Sequence, residues 1–186
     1  MWRFLIPIGL FGALVTFFYV GIDRDKQTLP SPLIGKAAPQ FQLPAVDDPS
    51  KKVSNSDFAG KPYVLNVWAT WCVGCRQEHK ALLEIARRGE VPIVGLDWKD
   101  DRSQAQQWLQ QLGNPYAATA FDDEGRVAID WGVYGAPETF LIDAEGKVLF
   151  KHISPMTLEV WERDFLPLLK STGSTGSTGR TGAPTE

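Results

Sequence analysis

Tyr63 to Trp68 is a short, largely apolar run that follows Gly60-Lys61-Pro62 and leads into Cys72 and Cys75. A run of this length, opened by a Gly-Pro break, is expected of a strand buried on both faces. Beyond the cysteines, Leu82, Leu83, Ile85 and Ala86 give one apolar side to a helix that runs to Arg88, with Gly89 as its C-cap. A buried strand that feeds a helix needs a sheet on either side of it and helices above and below. The rest of the chain supplies them. Val91 to Leu96 reads as a second buried strand. Ser103 to Leu112 reads as a polar helix closed by Gly113-Asn114-Pro115, and Arg126 to Trp131 as a short helix ended by Gly132. Thr139 to Ile142 and Val148 to His152 read as strands joined by a turn at Asp143-Ala144-Glu145-Gly146, and Leu158 to Leu169 as a closing helix. The order predicts an α/β domain with a mixed sheet covered on both faces.

The two cysteines sit where strand becomes helix. A helix N-terminus presents unpaired N–H groups and the positive end of the helix dipole, and both favour a thiolate over a thiol. Cys72 is therefore expected to ionise readily and to act as nucleophile. Cys75 lies one turn later on the same face, placed to resolve a mixed disulfide. The chain has only these 2 cysteines, so they read as a redox-active site and not as a disulfide framework. A c-type haem site would need histidine after the second cysteine, where the chain has Arg76. A zinc site would need four ligands, and beyond the cysteines only His79 and a distant His152 are available. No metal and no cofactor is expected. The plain alternative is a buried, inert pair of cysteines, against which Trp71 and the strand-to-helix position argue.

Phe4 to Ile22 is uncharged and almost wholly apolar. At helical rise it spans about 28 Å, near the thickness of a bilayer core. Bulky Phe17-Phe18-Tyr19-Val20 stands where a signal peptide would need small residues before its cleavage site, so residues 4–22 read as an uncleaved transmembrane anchor after a short tail at 1–3. Arg3 on one side and Arg24 and Lys26 on the other do not decide its orientation. Residues 23–34, with Pro30 and Pro32, read as a linker, 35–170 as the globular domain, and 171–186, with its Ser-Thr-Gly repeat, as a disordered tail. The 186 residues leave room for one such domain, and a net charge of −3 gives no reason to expect nucleic acid as a partner.

Two longer segments resemble a known family. Asn66-Val67-Trp68-Ala69-Thr70-Trp71-Cys72 is similar to the active-site strand of thioredoxin-like proteins. Gly132-Val133-Tyr134-Gly135-Ala136-Pro137-Glu138-Thr139-Phe140-Leu141-Ile142-Asp143 resembles the cis-proline segment of one branch, the cytochrome c biogenesis thiol:disulfide interchange proteins of the CcmG/DsbE family. Lys99-Asp100-Asp101-Arg102 and Leu112-Gly113-Asn114-Pro115-Tyr116 match it too. The resemblance runs from about Ile34 to Leu169 and takes in the anchor. It implies a thioredoxin-like fold and a reductase on the periplasmic side of a bacterial inner membrane. Its substrate would be apocytochrome c or a thiol protein of cytochrome c assembly. Its electrons would come from a transmembrane thiol reductase of the DsbD or CcdA type. It also implies a cis Pro137 facing the cysteines. Asn66 stands where ordinary thioredoxins carry a buried, proton-accepting aspartate, so another group or water must deprotonate Cys75.

Around the cysteines, Glu78 and Glu138 are candidates for an acidic rim that tunes the thiols and selects a partner, with a solvated helix residue as the plain reading of Glu78. Of Trp68 and Trp71, one is expected in the core and the other, by position Trp71, toward substrate. Tyr134 is expected to line the same groove or to pack in the core. His79 and His152 read as surface residues, and Asp100 and Asp101 as a helix cap. Competing functions are a general disulfide reductase of another pathway, a peroxidase and a non-catalytic binding module. The peroxidase would need Thr and Pro where the chain has Ala69 and Leu65, and binding alone needs no resolving thiol.

Overall fold

The computed structural model describes residues 2–22 and 31–173, and within the first of these only the side chains of 6, 7 and 9–18. Two units result, 1–30 and 31–186.

The first unit holds helix α1 (Trp2–Ile22), whose described apolar side chains, Ile6, Leu10, Phe11, Leu14, Val15, Phe17 and Phe18 among them, are exposed. Taken over the described residues, no helix is long and apolar enough to cross a membrane. The span expected over 4–22 reaches beyond the described side chains. Most of the expected linker, 23–30, lies outside the described residues, as do 174–186 of the expected tail.

The second unit is built on a five-stranded sheet of order β5-β4-β3-β6-β7: β3 (Tyr63–Trp68), β4 (Ile93–Trp98), β5 (Ala118–Asp122), β6 (Glu138–Ile142) and β7 (Val148–Ile153). β3 pairs with β4 and β4 with β5 in parallel, while β6 is antiparallel to both β3 and β7. The sheet is therefore mixed, as the element order predicts. Central β3 is buried at all six positions, because apolar layers lie on both faces. One layer packs Val64, Trp68 and Leu141 against Leu82 and Ile85 of α2 (Val73–Arg88), with Trp108 of α3 (Arg102–Leu112) and Trp161. The other packs Leu65, Val67, Leu96, Phe140 and Ile142 against Val127 and Ala128 of α4 (Arg126–Asp130), with Trp131.

Three features depart from the sequence reading. A small antiparallel hairpin, β1 (Gln42–Pro44) with β2 (Lys52–Ser54), and strand β5 were not anticipated. The second buried strand starts and ends two residues later than expected. The closing helix is interrupted: α5 (Leu158–Val160) passes through a π-helical turn, Trp161–Phe165, into α6 (Leu166–Gly173), which runs beyond the boundary expected at 170. The wider turn lies where Trp161 and Phe165 stack and are both fully buried, so large rings are seated there at the expense of regular α geometry.

Candidate active site

β3 delivers the chain to the cysteines, and α2 begins between them. Cys72 is the N-cap of α2, and its Sγ accepts a hydrogen bond of 3.0 Å from the backbone N–H of Cys75. Cys72 and Cys75 form a disulfide with Cα atoms 5.3 Å apart, and both are buried. The structure is thus the oxidised form of the pair. Once reduced, a Cys72 thiolate at this position keeps that backbone donor and the positive end of a 16-residue helix.

The Ala136–Pro137 bond is cis. Pro137 lies against the residue between the cysteines: a Cβ placed on Gly74 would come within 2.8 Å of the Pro137 ring and 3.3 Å of Pro155. Only glycine lets the proline come this close. Around this contact Trp71, Val73 and Tyr134 are exposed. Trp71 is held rather than free, since its Nε1–H donates to the Lys99 carbonyl and its ring packs on Trp98. Trp68 is the core member of the two, stacked on Tyr116 at 5.6 Å.

Neither glutamate forms a rim. Glu78 is 1% exposed, because α2 buries one stripe of residues made of Cys75, Glu78, His79, Leu82 and Ile85. Its carboxyl accepts from Asn66 Nδ2 at 2.9 Å and from the Met156 N–H at 2.7 Å. Asn66 also donates to Thr139 Oγ1 and accepts from the Tyr116 hydroxyl, so β3, α2, β6 and the loops holding Tyr116 and Met156 share one buried polar network. Burial pushes Glu78 up to about 7, against the pull of its two hydrogen bonds. Burial, reinforced by the charge of Glu78, raises the Tyr116 phenol well above its usual range. Asn66 thus remains a hydrogen-bonding hub, and the buried carboxyl that ordinary thioredoxins carry on the strand is here carried by the helix.

Glu138 is also buried, on the opposite face of the sheet. One of its oxygens accepts from the Tyr134 N–H and the other meets Lys151 Nζ at 2.9 Å. Lys151 in turn donates to the Gly132 carbonyl and lies over the Tyr134 ring. The pair braces the segment 132–137 from beneath and is not available to a partner. Tyr116, Thr139 and Lys151 were missed by the sequence reading.

The histidines are corrections too. His79 and His152 are buried, and burial lowers both below the usual histidine value. His79 lies between the Trp108 Nε1–H, 3.3 Å from Nδ1, and the Gly113 carbonyl, 3.0 Å from Nε2. The Trp108 donor requires Nδ1 to accept, so Nε2 carries the proton. Asp101 caps α3 as expected, but Asp100 instead binds the N–H and hydroxyl of Thr70. Among the described residues no cluster of metal-ligating side chains occurs.

Residues 33–165 match the Redoxin family. The thiol:disulfide interchange protein DsbE of Allochromatium vinosum is 43% identical over 167 residues, 90% of this chain and 92% of that one. The protein of the same name from Yersinia pestis is 46% identical over 89% of this chain and 90% of its own. The chain belongs to the DsbE family of redoxins. Escherichia coli DsbE is 43% identical over 88% of this chain and 91% of its own. A crystal structure assigned to DsbE of Chlorobium tepidum shares 30% identity and superimposes with a TM-score of 0.62, covering 72% of this chain and 95% of that chain. A secreted thiol-disulfide isomerase from Corynebacterium glutamicum, 21% identical, shares the thioredoxin-like fold with a TM-score of 0.66 over 80% of this chain and 94% of its own. Like its DsbE relatives, the chain is a thiol:disulfide oxidoreductase that exchanges disulfides with partner proteins.

Proposed function

We propose that the chain is a membrane-anchored reductant of the bacterial periplasm, acting on disulfides of apocytochrome c or of a thiol protein in cytochrome c maturation. The observation that carries the reductase chemistry is the Cys72–Cys75 pair at the N-terminus of α2, packed against Pro137. The segment Gly132 to Asp143, which resembles that of cytochrome c biogenesis proteins, supports the pathway.

In this reading the reduced Cys72 thiolate attacks one sulfur of a partner disulfide, and the other partner sulfur leaves as a thiolate that takes up a proton. Cys75 then loses its proton and attacks Cys72 Sγ. The partner's second sulfur leaves, the Cys72–Cys75 disulfide closes, and two electrons have passed to the partner. Glu78, one turn from Cys75 on the same buried stripe and near neutral pH in its titration, is suited to take that proton. Exposed Trp71, Val73 and Tyr134 offer apolar contact to the partner chain beside Pro137. A transmembrane thiol reductase of the DsbD or CcdA type would return the electrons.

Trapping tests this reading. Cys75→Ser removes the second displacement and leaves the first, so it should accumulate mixed disulfides with a protein of cytochrome c assembly on a non-reducing gel. Cys72→Ser should accumulate none. Trapped species unrelated to cytochrome c assembly would move the chain to a general reductase pathway. Trapping by Cys72→Ser alone would reverse the roles of the two thiols.

A further inference from the structure

Asp97 lies near the end of β4, in parallel register with Trp68, and is fully buried. Neither of its carboxyl oxygens has a hydrogen-bond donor among the described residues. A buried carboxylate with no donor is costly enough that the group normally takes up a proton. The charged and titratable groups that face it come from the following loop, from α3 and from the segment before β5: Asp100, Asp101, Arg102 and Tyr116. The cation is engaged elsewhere, since Arg102 donates to the Ala45 and Val46 carbonyls and lies over the Phe121 ring. The Tyr116 hydroxyl is spent on Asn66. What remains opposite Asp97 is the carboxyl of Asp100.

Asp100 is in the reverse situation. Its oxygens accept from the Thr70 N–H, the Thr70 hydroxyl at 2.7 Å and the Asp101 N–H at 2.8 Å. Three donors already point at its oxygens. Two facing carboxyls cannot both ionise cheaply in the interior, and one proton shared between them resolves the conflict. It belongs on the member without donors.

We infer that Asp97 is a positioning residue for the thiol chemistry: it holds a proton, donates it to Asp100, and so secures the carboxylate that ties Thr70, two residues before Cys72. The same loop holds Trp71 through the Lys99 carbonyl, so the turn into the nucleophile hangs from the end of β4 at two points. Burial first, then the like charge of Asp100, push Asp97 up to about 9. Through neutral pH the proton is in place. Above that value the two carboxylates repel, the hold on Thr70 weakens, and Cys72 loses its seat at the helix N-terminus.

The test uses the full chain in detergent, reduced, with a small aromatic disulfide as substrate, and compares Asp97→Asn and Asp97→Leu. Asparagine keeps a neutral donor at every pH; leucine has none. Asp97→Asn is expected to match wild type at neutral pH and to lack the loss of rate that wild type shows above about pH 9. Asp97→Leu is expected to react about tenfold more slowly at neutral pH, with the Cys72 thiolate absorbance titrating about one unit higher. A structural role alone would lower the melting temperature of Asp97→Leu without moving Cys72. Carbon-13 carboxyl spectra give a direct reading that does not depend on the leucine variant folding: one aspartate signal should titrate near pH 9 and vanish in Asp97→Asn. The inference is overturned if every aspartate carboxyl titrates in the ordinary acidic range. It is also overturned if Asp97→Asn is as slow as Asp97→Leu at neutral pH, or if its alkaline limb superimposes on that of wild type.

Discussion

Glu78 brings a carboxyl into the interior on the same buried stripe of α2 as Cys75, whose thiol must be deprotonated in the proposed mechanism, and this has consequences for both rate and stability. Its pKa of about 7 lies above the unfolded value of 4.5. Between these values the folded chain binds more proton than the unfolded one, so stability is full below about 4.5 and falls as pH rises toward about 7. The contribution is roughly 3 kcal/mol at most. Chemical denaturation of the oxidised protein across that window should show the decline, and Glu78→Gln should flatten it. The same substitution should slow closure of the Cys72–Cys75 disulfide about a hundredfold, the scale of general base catalysis, and leave the initial attack by Cys72 intact. Stopped-flow decay of a preformed mixed disulfide would separate the two steps. Lys151 faces the opposite accounting. With Glu138 it forms a pair in which both side chains are 2% exposed or less. Lys151→Met leaves a buried carboxylate alone and should cost about 3–5 kcal/mol in denaturation at neutral pH, whereas adding Glu138→Gln should restore much of the loss. No recovery in the double variant would show that the pair is not coupled.

At the scale of elements, the strand β3, the helix α2 and their junction were legible because their signals are local: a Gly-Pro break, an apolar run, an apolar helical side and Gly89 at φ 67°. β1, β2 and β5 were not, since three-residue strands carry no period and Ala118–Asp122 has no run of β-branched residues. Their extended form comes from pairing with neighbours. Burial of Glu78 and His79 had a signal that went unused. Cys75, Glu78, His79, Leu82 and Ile85 recur at the spacing of one helical stripe, and reading charge as exposure hid it. Glu138 had no such clue, because its Lys151 partner lies on another strand and the register that joins them is tertiary. The contact between α2 and the cis-proline segment is likewise tertiary, and it can be tested at Gly74. Gly74→Ala forces a methyl to within 2.8 Å of the Pro137 ring and 3.3 Å of Pro155. One of these must move. Alanine is the better helix former by up to about 1 kcal/mol, so α2 itself should not suffer. The expected outcome is a larger loss of rate on a protein disulfide than on a small aromatic disulfide, because displacement of Pro137 reshapes the groove more than the thiols. Equal losses on both would place the damage at the cysteines.

At the scale of the whole chain, the two units raise a question that the redox site does not answer. The domain beginning at residue 31 contains the cysteines, Pro137 and both apolar layers. α1 is largely apolar apart from Arg3 and Pro7, and its described large side chains are exposed. Water is a poor solvent for such a surface, and contiguous apolar patches of this kind mark contact with a membrane or a protein. The proposed anchor accounts for both facts by assigning α1 to location and the domain to catalysis. A chain starting at Ser31 should then be recovered in the soluble fraction and reduce a small disulfide at the full-length rate, within about twofold, since no residue of the site is lost. Expressed with an export signal, it should support cytochrome c maturation poorly unless overproduced, because it no longer shares a surface with its electron donor. The full-length chain should resist carbonate extraction, and a reporter fused after Lys170 should be active only outside the cytoplasm. Release of the full-length chain by carbonate would reject the anchor while leaving the thiol chemistry untouched. A fall in the small-disulfide rate of the truncated chain would mean that α1 supports the domain directly and that location and catalysis are not separable in this chain.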